Sequence, residues 1–83
     1  MSAEIIVAEW RKNSREILRV RFDNYKGYAV ICIRVWYADK DGIIKPGRGG
    51  LTVSIRHLPA LASALAKALE MASAVGFLTV HEP

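Results

Sequence analysis

The chain is poor in cysteine, in histidine and in long apolar runs, and each scarcity closes a route. Its one cysteine, Cys32, leaves no internal disulfide to form, which suits a reducing interior. Cys32 stands in an apolar stretch and reads as a small buried hydrophobe. The two histidines, His57 and His81, are far apart and have no Cys, Asp or Glu at metal-ligand spacing. No metal or other cofactor is therefore expected. No apolar run approaches the roughly 18 residues of a membrane helix. Met1-Ser2-Ala3-Glu4 places no positive segment ahead of an apolar one, so no signal peptide is expected. The chain has no GxSxG, and Pro46-Gly47-Arg48-Gly49-Gly50 lacks the GK[ST] of a phosphate-binding loop. Asp39 and Asp41 read as turn formers. Nothing in these residues asks for catalysis, and no enzyme is expected.

What is present is apolar and basic. The 83 residues suffice for one domain, and a chain of this size buries only roughly 60% of its unfolded surface. Yet 52% of the residues are hydrophobic. A second copy of the chain is the expected cover for that surplus. The net charge is +4, unevenly spread: residues 1–56 hold eleven of the twelve Lys and Arg, and residues 57–83 hold one. That distribution is the footprint of a polyanion binder.

The hydrophobic period divides the chain in two. Residues 4–10 read as a strand, followed by a polar turn at 11–14. In 15–22, Leu18, Val20 and Phe22 fall on one side of a strand, with Arg15, Arg19 and Arg21 on the other. Like charges on one strand face repel unless an anion offsets them. Residues 23–27 read as a turn, 28–37 as the strongest strand and 39–42 as a hairpin turn. Residues 43–45 begin a return strand that Pro46–Gly50 interrupts and 51–55 resume. From Leu58 the period becomes helical. Leu58, Leu61, Leu65, Leu69 and Ala72 form an apolar stripe, with Pro59 in the first turn and Gly76 as the stop. Residues 76–83 are expected to form a short extended segment or tail.

The expected fold is α+β: a four-stranded antiparallel curved sheet over about 4–55, one face partly covered by a C-terminal amphipathic helix over about 58–75. Ala60, Ala64, Ala68 and Ala72 would let two helices approach closely. The expected dimer contact uses Leu61, Ala64, Leu65, Ala68, Leu69 and Ala72.

Basic residues alternate with aromatics on the predicted strands: Tyr25-Lys26, Tyr28, Arg34-Val35-Trp36-Tyr37, and Lys45 with Arg48. Single-stranded nucleic acid needs both types, cations for its backbone and ring faces for unstacked bases. Trp36 and Tyr37 are neighbours, so they point to opposite faces of a regular strand. Tyr37 is expected to be the exposed ring and Trp36 the packed one.

Tyr25-Lys26-Gly27, Ile33-Arg34, Trp36-Tyr37, an acidic-Gly turn and Lys45-Pro46-Gly47-Arg48-x-Gly50-Leu51 together resemble the positive cofactor four transcriptional coactivator family over roughly residues 15–70. The chain has no Ser-rich and Lys-rich N-terminal region, so it resembles the compact prokaryotic form. The resemblance implies a dimer that binds single-stranded DNA with little sequence preference, in transcription, replication or repair. It implies base stacking for Tyr25 and Tyr37, and backbone contacts for Lys26, Arg34 and Lys45, with Arg48 in the matching basic loop. Arg21 matches a basic position only with two extra residues before Tyr25, and the added Arg15 and Arg19 offer further cations. The family usually has acids at the positions of Cys32 and Val35, a basic residue near Tyr28 and often another at Gly49. RNA binding, and docking to transcription machinery through the helix, are the alternative readings. A cytoplasmic or nucleoid location is expected, nuclear if the source is eukaryotic.

Overall fold

The computed structural model describes residues 5–79. Four strands, β1 (Ile5–Arg11), β2 (Glu16–Tyr25), β3 (Tyr28–Ala38) and β4 (Ile44–Ser54), form one antiparallel sheet in the order β1-β2-β3-β4. A 3-10 turn at Ile55–His57 leads into the helix α1 (Leu58–Ala74), and a second one follows at Phe77–Thr79. The expected strand starting at Glu4 and tail ending at Pro83 extend, at Met1–Glu4 and Val80–Pro83, outside the described residues.

Each connection is made by its own polar residues. Between β1 and β2, the Asn13 side-chain oxygen accepts the backbone N–H groups of Arg15 and Glu16, both at 2.9 Å. Asn is suited to this because its short amide mimics a backbone turn. Arg15 therefore belongs to the turn, not to the strand expected from residue 15. Between β2 and β3 the turn has only two residues, Lys26 at φ 51° and Gly27 at φ 86°. Two positive φ angles fit the twist of a tight hairpin, and Asn24 accepts the Gly27 N–H at 3.0 Å. The strand thus runs on through residues 23–25, which the sequence assigned to the turn. Asp39 shapes the third turn by accepting the N–H groups of Asp41 (2.8 Å) and Ile43 (2.9 Å).

The expected break at Pro46–Gly50 is not a break. β4 is continuous, and the pairs Arg34↔Gly50 and Trp36↔Pro46 leave Gly47, Arg48 and Gly49 facing Val35 alone. Two extra residues bulge the strand. Proline is tolerated there because β4 is an edge strand, whose outward N–H groups need no partner.

Among the described residues, Val30, Ile31 and Cys32, mid-sheet on β3, are the buried hydrophobic ones. The helix behaves differently from expectation. It buries none of its seventeen residues and does not cover a sheet face. Of its apolar stripe, Leu65 and Leu69 are 57% and 60% exposed, while Leu58, Leu61 and Ala72 are half-buried. The described part of the tail is also not extended: Phe77–Thr79 forms a 3-10 turn that sets Phe77 beside Met71 and Val75.

Candidate nucleic-acid interface

Strand register decides which of the candidate side chains share a surface. On β2 and β3, Leu18, Val20 and Phe22 lie opposite Val35, Ile33 and Ile31, which makes one face apolar. The other face carries Arg19 opposite Arg34, Arg21 opposite Cys32, and Ile17 opposite Trp36. The basic face expected from the alternation of β2 therefore exists, with Arg34 added from β3.

Its cations are largely engaged. Arg19 Nε donates to Glu9 Oε1 at 2.7 Å, and its guanidinium lies 4.4 Å from the Trp36 ring centroid. Arg21 Nη1 donates to Asp23 Oδ2 at 2.6 Å, which holds the Asp23 carboxyl below its usual range with help from the Asn24 N–H. Arg34 Nη1 donates to the Gly47 carbonyl at 3.0 Å. The Arg34 side chain crosses Gly50 so closely that a Cβ there would meet its Cβ and Cγ at 3.2 Å. Glycine at position 50 is thus what lets the Arg34 stem lie flat on β4. These contacts orient the guanidinium groups before any ligand arrives.

The three tyrosines, all exposed, sit at the two ends of the β2–β3 hairpin. Tyr37 is exposed, as expected, and Trp36 is half-buried beneath Arg19. Tyr37 pairs in register with Lys45, and with Arg15 it lines a concavity that includes Asn13, Glu16 and Ala38. The Ala38 N–H, donating to the Arg15 carbonyl at 3.3 Å, draws that turn alongside β3. Lys45 Nζ is 2.9 Å from Asp39 Oδ2. This contact is the first cause of a lowered Asp39 pKa, ahead of the backbone N–H of Ile43. At the other end, Tyr25 pairs with Tyr28, and the Lys26 ammonium stands 5.3 Å from the Tyr25 ring centroid. Arg48 is exposed on the bulge of β4.

The candidate residues thus form three groups, not one row: Tyr25 with Lys26; Arg19, Arg21 and Arg34; and Tyr37 with Lys45 and Arg15. Tyr37 lies nine steps beyond Tyr28 along β3, about 30 Å at roughly 3.4 Å per residue. The uninterrupted β2–β3 register also sends Tyr25 and Tyr37 to opposite faces. Sequence reasoning missed Glu9 as the partner of Arg19, and it missed Ser54 and Arg56 beside the Tyr25–Tyr28 pair. All depend on cross-strand placement, for which local spacing carries no signal. Among the described residues no group of three or more His, Cys, Asp or Glu could hold a metal ion, and no helix is long and apolar enough to cross a membrane.

Residues 9–64 match the family model of Transcriptional Coactivator p15 (PC4). The chain belongs to this family. Crystal structures of a PC4 homolog from Burkholderia pseudomallei share the PC4 fold. The tetragonal form gives a TM-score of 0.71 at 23% identity, covering 80% of this chain and 97% of that one. The orthorhombic form gives 0.69 at 23% identity, covering 77% and 86%. A bacteriophage T5 homolog of PC4, described as implicated in recombination-dependent DNA replication, gives 0.68 at 19% identity, covering 94% and 88%. No curated protein sequence matches this PC4-family chain. The bulged Lys45-Pro46-Gly47-Arg48 segment and the Arg34–Tyr37 strand both fall within the matched span of the family.

Proposed function

We propose that this PC4-family protein binds single-stranded DNA without sequence preference, as a homodimer, through the rings and cations of its sheet. The observation that carries the reading is Tyr37, an exposed ring with Lys45 as its cross-strand partner and Arg15 beside it. Duplex DNA keeps its bases stacked and offers such a ring little. An unstacked base gains about 1–3 kcal/mol on an aromatic face. Tyr25 with Lys26 repeats the combination at the far end of the hairpin. Lys26, Arg34, Lys45 and Arg48 serve the phosphates, with Arg15, Arg19 and Arg21 adding to the positive field. Transcription, replication and repair all expose such strands.

The dimer rests on surface. The chain exposes 6797 Å², about 1,900 Å² more than the roughly 4,900 Å² expected of a folded monomer of its mass. An excess of that order is what one protomer gives to an obligate interface. The apolar stripe of α1, with Leu61, Ala64, Leu65, Ala68, Leu69 and Ala72, supplies the contact. Symmetry also answers the opposite facing of Tyr25 and Tyr37. One straight strand cannot meet both rings of a single sheet, but it can pass from a ring on one protomer to a ring on its partner.

Fluorescence anisotropy with a labelled oligonucleotide, its duplex and its RNA counterpart tests the reading. Single-stranded DNA should bind tightest, with a log–log salt slope of about −0.7 per phosphate neutralised. Equal or tighter duplex binding overturns it, and preference for the RNA moves the substrate class. Tyr37→Ala should cost about 1–3 kcal/mol of affinity.

A further inference from the structure

We propose that Tyr28, Ser54 and Arg56, together with Tyr25, form a cradle for one unstacked nucleotide at the turn end of the β2–β3 hairpin. The inference rests on the single-strand reading above and adds a subsite to it. Tyr25, Tyr28, Val30, Ser54 and Arg56 line a concavity of about 430 Å³, within the roughly 300–1,000 Å³ typical of small-molecule sites.

Three strand ends build it. Tyr25 and Tyr28 are the closing pair of the hairpin and project from one face, 60% and 72% exposed. Two large rings left in water at a turn are not packing residues. Val30 lies two residues along the same face of β3 and is 7% exposed, a dry apolar floor. Ser54 is its register partner on β4 and brings a hydroxyl. Arg56 follows in the 3-10 turn, exposed. Rings for a π-face, a floor that excludes water, one small hydrogen-bonding group and a guanidinium at the rim match a base with its phosphate. An apolar peptide would leave Arg56 without a role, and a free anion would leave both rings without one. The acid nearest the floor, Asp23, opposite Val30, is held by Arg21 at 2.6 Å, so its charge does not stand alone against an incoming phosphate. Lys26, between the two rings in sequence, adds a second cation at the rim.

The test uses the full chain and an oligothymidylate carrying 5-iododeoxyuridine, with Tyr28→Ala, Arg56→Gln and Tyr37→Ala compared by anisotropy. Tyr28 and Arg56 are exposed, so these substitutions leave the core untouched. Tyr28→Ala should weaken binding by about fivefold or more, the low end of base stacking. Arg56→Gln should flatten the salt slope by about 0.7, the loss of one phosphate contact. Irradiation should cross-link the iodinated base to Tyr25 or Tyr28, read by peptide mass spectrometry. If Tyr28→Ala and Arg56→Gln bind as wild type while Tyr37→Ala weakens, the cradle is overturned and the single-strand reading stands. If cross-links fall only on other residues, the cradle is likewise overturned. If the wild-type chain binds no single strand, the reading beneath it fails as well.

Discussion

The sheet and the helix of this chain satisfy their residues by different means. β2 and β3 have a hydrogen-bonded neighbour on each side, and the buried hydrophobic residues lie on β3. α1 holds seventeen residues, eleven of them Leu or Ala, and buries none. Its backbone between the terminal turns is hydrogen-bonded within the helix, but its apolar side chains lack a comparable partner. A lone helix in water draws little stability from propensity, even when alanine-rich; tertiary packing of its apolar face supplies most of it. The sheet can therefore be understood from one chain, whereas the helix needs a second surface. The proposed function divides the labour accordingly, with recognition by the sheet and assembly by the helix.

The largest test of that division places charge on the helix stripe. Leu65→Lys combined with Leu69→Lys should abolish self-association, measured by analytical ultracentrifugation. Burying an unpaired ammonium costs several kcal/mol, on the order of a hundredfold or more in the dimer constant. A double variant that still sediments as a dimer removes the helix from the interface. A wild-type chain that sediments as a monomer removes the dimer itself.

The next test strikes the sheet and spares the helix. A Cβ at Gly47 would meet the Val35 carbonyl oxygen at 2.8 Å, while one at Gly49 meets nothing within 4 Å. Gly47→Ala should destabilise the fold by about 1–3 kcal/mol, the usual cost of overpacking, and should disturb the carbonyl that holds Arg34. Gly49→Ala should be close to neutral. Urea denaturation of the two variants separates the bulge's geometry from any general demand for glycine. Equal stability would mean that β4 moves away at little cost.

These glycines also mark where the sequence was legible and where it was not. The alternation of Leu18, Val20 and Phe22 against Arg19 and Arg21 was readable because side chains alternate along any strand. The same rule separated Tyr37 from Trp36, and the stripe from Leu58 to Ala72 located the helix. Pro46–Gly50 misled because proline and glycine punctuate chains in general, and only the pairing with β3 reveals a bulge in a continuous edge strand. The ion pair between β1 and β2 was hidden for the same reason. Glu9 and Arg19 stand ten residues apart and meet only through the β1–β2 register, which itself contains a shift between Ile6 and Ala8. The helix was located correctly and its packing was not, because periodicity says which face is apolar and not what covers it.

A smaller effect follows from the ion pairs on the basic face. Glu9 offsets the charge of Arg19. Glu9→Gln should therefore tighten single-strand binding by about two- to fivefold at low salt, in line with the modest energy of exposed ion pairs, and the gain should fade as salt screens it. Anisotropy across a salt series reads both. Unchanged affinity at low salt would mean that Arg19 serves Trp36 alone.

The smallest effect is on stability in acid, and it belongs to the turns of the sheet. Among the described residues three carboxyls have lowered pKa values: Glu16 through the side chains of Asn13 and Lys12, Asp23 through Arg21, and Asp39 through Lys45. A carboxyl whose pKa is lower folded than unfolded stabilises the fold fully above its unfolded value, and the benefit is lost as pH falls through the folded value. Stability should thus be level at neutral pH and decline below about pH 4, where free carboxylates begin to protonate. Because these groups lie at the surface, screening keeps each contribution small. Asp39→Asn should shrink the acid-dependent part of the loss, and it should also release Lys45, so that single-strand affinity rises slightly at neutral pH. Thermal melts between neutral and acid pH, beside anisotropy on the same variant, read the two together. A melting curve in Asp39→Asn with the full wild-type acid dependence would show that the Lys45 contact does not stabilise the turn.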